Sequence, residues 1–75
     1  MDNEIEKIIG RNIRRLREGC GLTQEMLSAR LQIEGCDITR SALAKIEVGQ
    51  RHIYADEIII LKKILNAPFE EILRT

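Results

Sequence analysis

Apolar positions recur every third or fourth residue along most of this chain, the spacing of one helix face rather than the alternation of a strand. Ile5, Ile9, Ile13, Leu16 and Cys20 form one stripe of a first helix over residues 4–19, with Lys7, Arg11, Arg14, Arg15 and Glu18 on the opposite face. Arg17 falls at the edge of the apolar stripe, apart from the other arginines, a placement that predicts a buried or half-buried partner. Asn3 and Glu6 make a capping box at the start. A second helix opens at Gln24 behind Thr23, whose hydroxyl can accept an orphan amide of the first turn, and it points Leu27 and Leu31 inward. It runs to Glu34, with Gly35 in the left-handed cap position and Gly35-Cys36-Asp37-Ile38 as the turn.

Thr39 caps a third helix over residues 40–48. At about 100° per residue, Ala42, Leu43 and Ile46 face inward with Glu47 at their edge. Ser41, Ala44, Lys45 and Val48 face outward, Arg40 sits at the exposed N-terminus, and Gly49 suits the residue that ends the helix. A fourth helix over residues 55–65 turns Ile58, Leu61, Ile64 and Leu65 inward and ends at Asn66. Pro68 suits the first turn of a short fifth helix holding Phe69, Ile72 and Leu73. The expectation is an all-α fold of five helices in a single domain, residues 1–75. Its second and third helices, each opened by a threonine, form a helix-turn-helix, a common device for reading the DNA major groove.

Composition changes this picture little. Aromatics are 3% of the chain, so aliphatic packing must supply the core. The longest apolar run, Ile58-Ile59-Ile60-Leu61, is far too short to span a membrane. Asp2, Glu4 and Glu6 stand where a signal peptide would be basic, so a cytoplasmic address is expected. Cys20 and Cys36 form no CxxC pair and His52 is the only histidine, so neither a zinc site nor a disulfide is expected. Cys20 is expected as a small buried hydrophobe and Cys36 as a turn residue. These residues, with no glycine-rich phosphate loop, assemble no catalytic constellation; no enzyme, metal, cofactor or small-molecule ligand is expected.

Charge bears on the partner. The formal net charge is +0, which argues mildly against nucleic acid. Its distribution argues the other way. Arg11, Arg14, Arg15 and Arg17 cluster, Arg40, Lys45 and Arg51 flank the third helix, and acids gather at the two ends of the chain. Local potential, not net charge, attracts phosphate. On the outward face of the third helix, Ala44 and Val48 are odd choices for a purely solvated surface and make sense against thymine methyls. The basic face of the first helix reads as solvated, with Arg11 or Arg14 within reach of a flanking phosphate.

The residues Leu22-Thr23-Gln24-Glu25, Leu27, Leu31, Arg40-Ser41, Ile46-Glu47, Gly49 and Arg51 resemble the lambda-repressor-like helix-turn-helix family of Cro, CI and Xre regulators. The resemblance continues through Leu61, Leu65-Asn66 and Glu70-Glu71-Ile72-Leu73. It implies that Arg40, Ser41 and Lys45, with Ala44 between them, meet base edges. It implies backbone contacts for Thr23, Gln24 and Arg51, with Gln24 bonding a phosphate beside the free amides of its helix. It also implies that Arg17 and Glu47 form a buried ion pair. Three departures stand out: a segment between the second and third helices about five residues longer than the usual family spacing, Ser28 where a packed alanine is common, and Val48 where a polar phosphate contact is frequent.

The function so implied is sequence-specific binding of double-stranded DNA by a transcriptional regulator, of phage or mobile-element repressor type. It would act as a homodimer on a palindromic operator. The alternative is a protein-interaction module on the same fold, as in an antitoxin or anti-repressor. The fourth and fifth helices carry more aliphatic residues than their inward stripes need, so Ile59, Ile60, Phe69, Ile72 and Leu73 are the expected dimer patch.

Overall fold

A computed structural model describes residues 4–75 and folds them into five helices with no strand among them. They are α1 (Glu4–Gly19), α2 (Gln24–Ile33), α3 (Arg40–Glu47), α4 (Ala55–Leu65) and α5 (Phe69–Leu73). The helices match the hydrophobic spacing to within a residue; α2 and α3 each stop one position early, at residues that serve as their C-caps, Glu34 and Val48. Pro68 precedes α5 as its N-cap instead of lying in its first turn. The capping box proposed at Asn3 lies outside the described residues. No described helix is long and apolar enough to cross a membrane.

Local chemistry sets the helix starts. Thr23 Oγ1 accepts the Met26 amide and Thr39 Oγ1 accepts the Ala42 amide, each at 3.1 Å. Before each threonine stands a buried aliphatic residue, Leu22 or Ile38. Four helical positions on stands another, Leu27 or Leu43, the spacing of a hydrophobic staple that sets how the chain enters a helix. The same device used twice in succession sets up the helix-turn-helix.

The core is a single aliphatic cluster. Ile13, Leu27, Leu31, Ile38, Leu43, Ile46, Leu61 and Ile72 are its fully buried members. α1 packs on α3 and α5, α2 packs on α3 and α4, and α4 closes against α5. The approach of α1 to α3 depends on Gly10: a Cβ there would run into the Ile46 carbonyl oxygen and lie 2.9 Å from the Glu47 carbonyl. Asn12, on α1, donates its side-chain amide to the Ile72 and Arg74 carbonyls, each at 2.9 Å, and so closes the C-terminus of α5.

The long connection between α2 and α3 is ordered by its own hydrogen bonds. Gly35, at φ +83°, sends its amide to the Gln32 carbonyl, and the Cys36 amide reaches the Leu31 carbonyl at 2.9 Å. That pair of bonds is a Schellman closure, and it drives Cys36 into the core beside Leu31. Ser28 Oγ then donates to the Ile38 carbonyl at 2.7 Å. A packed alanine at this position could not make that bond, which accounts for the serine. The extra length is thus taken up by burying Cys36 and Ile38, and burial pushes the Cys36 thiol pKa up.

Three expectations about burial are corrected. Cys20 is exposed, because it follows the last residue of α1 and Leu22 fills the core in its place. Its thiol faces the Leu65 carbonyl at 3.6 Å. Ile5, on the same stripe, is 54% exposed, since it lies at the start of α1 beyond the neighbouring helices' cover. Ile72 is fully buried and so cannot belong to an exposed dimer patch, since α5 turns it inward beneath α1, while Ile60 is packed partly against the core.

Candidate nucleic-acid interface

The first turn of α3 projects from the surface with its apolar side held against α1 and α2. Arg40, Ser41 and Lys45 are exposed and Ala44 is half-buried between them, while Val48, half exposed, continues the same face. Leu43, Ile46 and Glu47 anchor the opposite side. The face presents two cations, a hydroxyl and two small aliphatic groups. These are chemical types suited to guanine acceptors, to either hydrogen-bonding edge and to thymine methyls.

A polar clamp behind this face fixes the helix. Arg17 Nε donates to Glu47 Oε2 at 2.7 Å and Nη2 donates to Oε1 at 3.0 Å, a bidentate pair almost closed to water. Arg17 Nη1 donates to the Leu22 carbonyl at 2.8 Å. Hydrogen bonding to Glu47 raises the guanidinium pKa above its ordinary value and outweighs the opposing effect of burial. Gln24 Nε2 completes the group by donating to Glu47 Oε1 at 3.0 Å. One carboxylate therefore joins the end of α1, the start of α2 and the end of α3.

The placement of Gln24 differs from the picture of a side chain free to bind phosphate. Its amide nitrogen is already engaged, and the group sits half-buried at the floor of an open cleft of about 550 Å³. Thr23, Glu25, Arg14, Arg17 and Arg40 line the rest of that cleft. The Thr23 hydroxyl is likewise committed to its own helix as a cap.

Arg51 is placed otherwise than sequence spacing suggests. Its two terminal nitrogens hold both oxygens of Glu57, at 2.8 and 3.1 Å, and Nη1 also reaches the His52 carbonyl at 2.8 Å. Glu57 Oε1 accepts the Tyr54 amide at 3.1 Å as well and so caps α4. Burial works against the Glu57 carboxylate, but the bonds from Arg51 and Tyr54 outweigh it and hold its pKa below the ordinary value. The guanidinium is correspondingly shifted up by Glu57. The loop from α3 to α4 is thus a braced strut, tied also to α1 by the contact of His52 Nδ1 with a Glu6 carboxylate oxygen. No sequence signal marked the Arg51–Glu57 clamp, because its partners are six positions apart across a loop with no regular period.

The exposed large hydrophobic residues of the last two helices are Ile59 at 57%, Phe69 at 41% and Leu73 at 41%. Lys62 lies over the Phe69 ring, 5.5 Å from its centroid.

A family model described as helix-turn-helix matches residues 13–72. Among solved structures, the crystal structure of the DNA-binding domain of BldD superposes with a TM-score of 0.80 at 20% sequence identity, over 97% of this chain and 99% of that one. At that identity the likeness shows the fold. No curated protein matches the chain.

Proposed function

Since the chain belongs to the helix-turn-helix family of Cro/C1 type, we propose that it is a sequence-specific DNA-binding transcriptional regulator and not an enzyme. The observation that carries this reading is the pairing of an exposed, cationic face on α3 with a buried clamp behind it. Arg40, Ser41 and Lys45 stand free while Arg17, Gln24 and Glu47 hold the helix from the other side. A helix that must read base edges gains from such bracing, since groups already fixed in position lose little freedom on binding.

In the proposed complex α3 enters the major groove by its N-terminal turn. Arg40 reads guanine, Ser41 and Lys45 read neighbouring edges, and Ala44 packs against a thymine methyl. The cleft at the start of α2 receives a backbone phosphate, held by the helix amides and by Arg14 and Arg40 on its walls. Gln24 contributes there through its second amide hydrogen, and Arg51 through its charge. A domain this small makes a modest interface, so a homodimer on a palindromic operator completes the reading, with Ile59, Phe69 and Leu73 as the exposed residues available to join the copies. The regulator would be of the phage or mobile-element repressor type and would work in the cytoplasm.

Selection of bound duplexes from a random pool tests the reading. Wild type should enrich one sequence and bind it with a steep salt dependence. Arg40→Ala should weaken the selected site by roughly 1–3 kcal/mol and relax preference at one base pair. Equal weakening on selected and random DNA would make Arg40 a phosphate contact. No enrichment, with no salt-dependent binding to any duplex, would favour a protein-interaction module.

A further inference from the structure

We propose that α1 is a second docking element for duplex DNA, with Lys7, Arg11 and Arg14 forming a ridge that follows the phosphate strand bordering α3. The inference rests on the DNA-binding reading above, which already gives Arg14 a phosphate, and extends that surface along α1 to Arg11 and Lys7.

The three residues stand at helical spacing on one face of α1. Lys7 and Arg14 are separated by about 10 Å of helix, or about three base-pair steps of duplex. Taken alone, such a stripe would be an ordinary solvated face. Its position in the fold is what distinguishes it. Lys7, Arg11 and Arg14 line an open cleft whose other wall is Val48 and Glu47, at the C-terminal end of α3. Arg14 also lines the larger cleft that holds Thr23, Gln24 and Arg40. It is therefore the partition between two clefts that flank α3, and the ridge continues the cationic surface of the proposed interface.

The ridge is also held at a fixed distance from α3. Gly10 brings the α1 backbone against the carbonyls of Ile46 and Glu47, and the stem of Lys7 covers Gly49, leaving no room there for a Cβ. A duplex seated on α3 would therefore meet α1 at one separation.

The charges on this ridge are available. Arg11 makes no ion pair among the described residues, and Arg14 pairs only with exposed Glu18 at 3.2 Å, where water and salt weaken the attraction. The one acid lining the smaller cleft, Glu47, is already neutralised by Arg17. A phosphate strand suits such a surface because it offers charge at regular intervals without asking for side-chain specificity.

The test is the salt dependence of binding by the full chain, measured by fluorescence anisotropy on the selected operator and on a random duplex. Arg11→Gln with Arg14→Gln should weaken both duplexes by the same factor. The slope of log K against log salt should become shallower by about 0.9 for each lost contact, or about 1.8 for the pair. Arg11→Lys with Arg14→Lys should restore most of the slope. Lys62→Gln with Lys63→Gln removes the same charge from α4, which packs on α2 and α5, and should leave the slope unchanged. Thermal melts establish that each variant is folded. A slope loss in the α1 variant of no more than about 0.9, the share of Arg14 alone, or an equal loss in the α4 variant, would overturn the proposal while operator recognition stands. Failure of wild type to bind any duplex would instead defeat the DNA-binding reading itself.

Discussion

Removing the Glu47 carboxylate would leave Arg17 buried with the Leu22 carbonyl and a Glu18 oxygen 4.0 Å away as its remaining acceptors. Breaking a buried pair in this way costs roughly 3–5 kcal/mol. Glu18, by contrast, meets Arg14 in the open, where pairs contribute about 0–1 kcal/mol. Glu47→Ala should therefore lower the melting temperature far more than Glu18→Ala, and equal shifts would show that the buried pair contributes no more than a surface one. Glycines give a second residue-scale contrast. Gly10→Ala forces a Cβ into the α3 backbone, which cannot give way as a side chain can, and should destabilise by about 1–3 kcal/mol or more. Gly19 has open space around it on the same helix, so Gly19→Ala should be neutral or stabilise by up to about 1 kcal/mol. Urea titrations of the two variants should move in opposite directions, and a neutral Gly10→Ala would mean that the two helices are not in backbone contact. At this scale, the core-edge placement of Arg17 and Glu47 was legible in the spacing of their helices, and their pairing was what the family resemblance implied. Gln24 was not legible as the third member, since a residue opening a helix can turn toward solvent or inward with the same sequence.

Capping and stapling govern the elements. Thr23 and Thr39 with their flanking aliphatic residues announce α2 and α3 in the sequence, because the atoms involved lie within a few residues of one another. The brace between α3 and α4 has the opposite character: Arg51 and Glu57 meet only once the loop is folded. It yields a pH prediction. The folded Glu57 carboxyl has a pKa below its ordinary value of 4.5, so its contribution to stability is full above that value and is lost as pH falls through the folded pKa. Glu57→Gln should destabilise the domain near pH 7, and the difference from wild type should shrink in acid below the ordinary carboxylate value. A difference that stays constant from neutral pH into acid would show that the charge of Glu57 contributes nothing to stability.

The whole molecule leaves Ile59, Phe69 and Leu73 exposed on α4 and α5 while sealing Ile72. If the first three join two copies, Ile59→Lys should abolish a dimer without changing the melting temperature much, since that side chain is not in the core. Sedimentation at tens of micromolar, with and without operator, measures this. Identical sedimentation and identical cooperativity on a palindrome for wild type and variant would place the dimer contact elsewhere. Ile72 could not be excluded from the patch beforehand, because a five-residue helix has too few apolar positions to define which side turns inward. The third dimension chose: α1 crosses α5, and Asn12 fastens its last carbonyls.

What the sequence determined by itself was everything that depends on near neighbours along the chain: five helices, their caps, the helix-turn-helix and the outward face of α3. Periodicity and capping are short-range, so they survive in a one-dimensional string. Tertiary structure alone decided that Cys36 is buried and Cys20 exposed, that Gln24 and Arg51 are held by carboxylates, and that the basic ridge of α1 lies alongside α3. Each of these depends on the distance between groups on different elements or across a loop. Such distances are fixed only when the aliphatic core closes and the close approach at Gly10 sets how near α1 comes to α3.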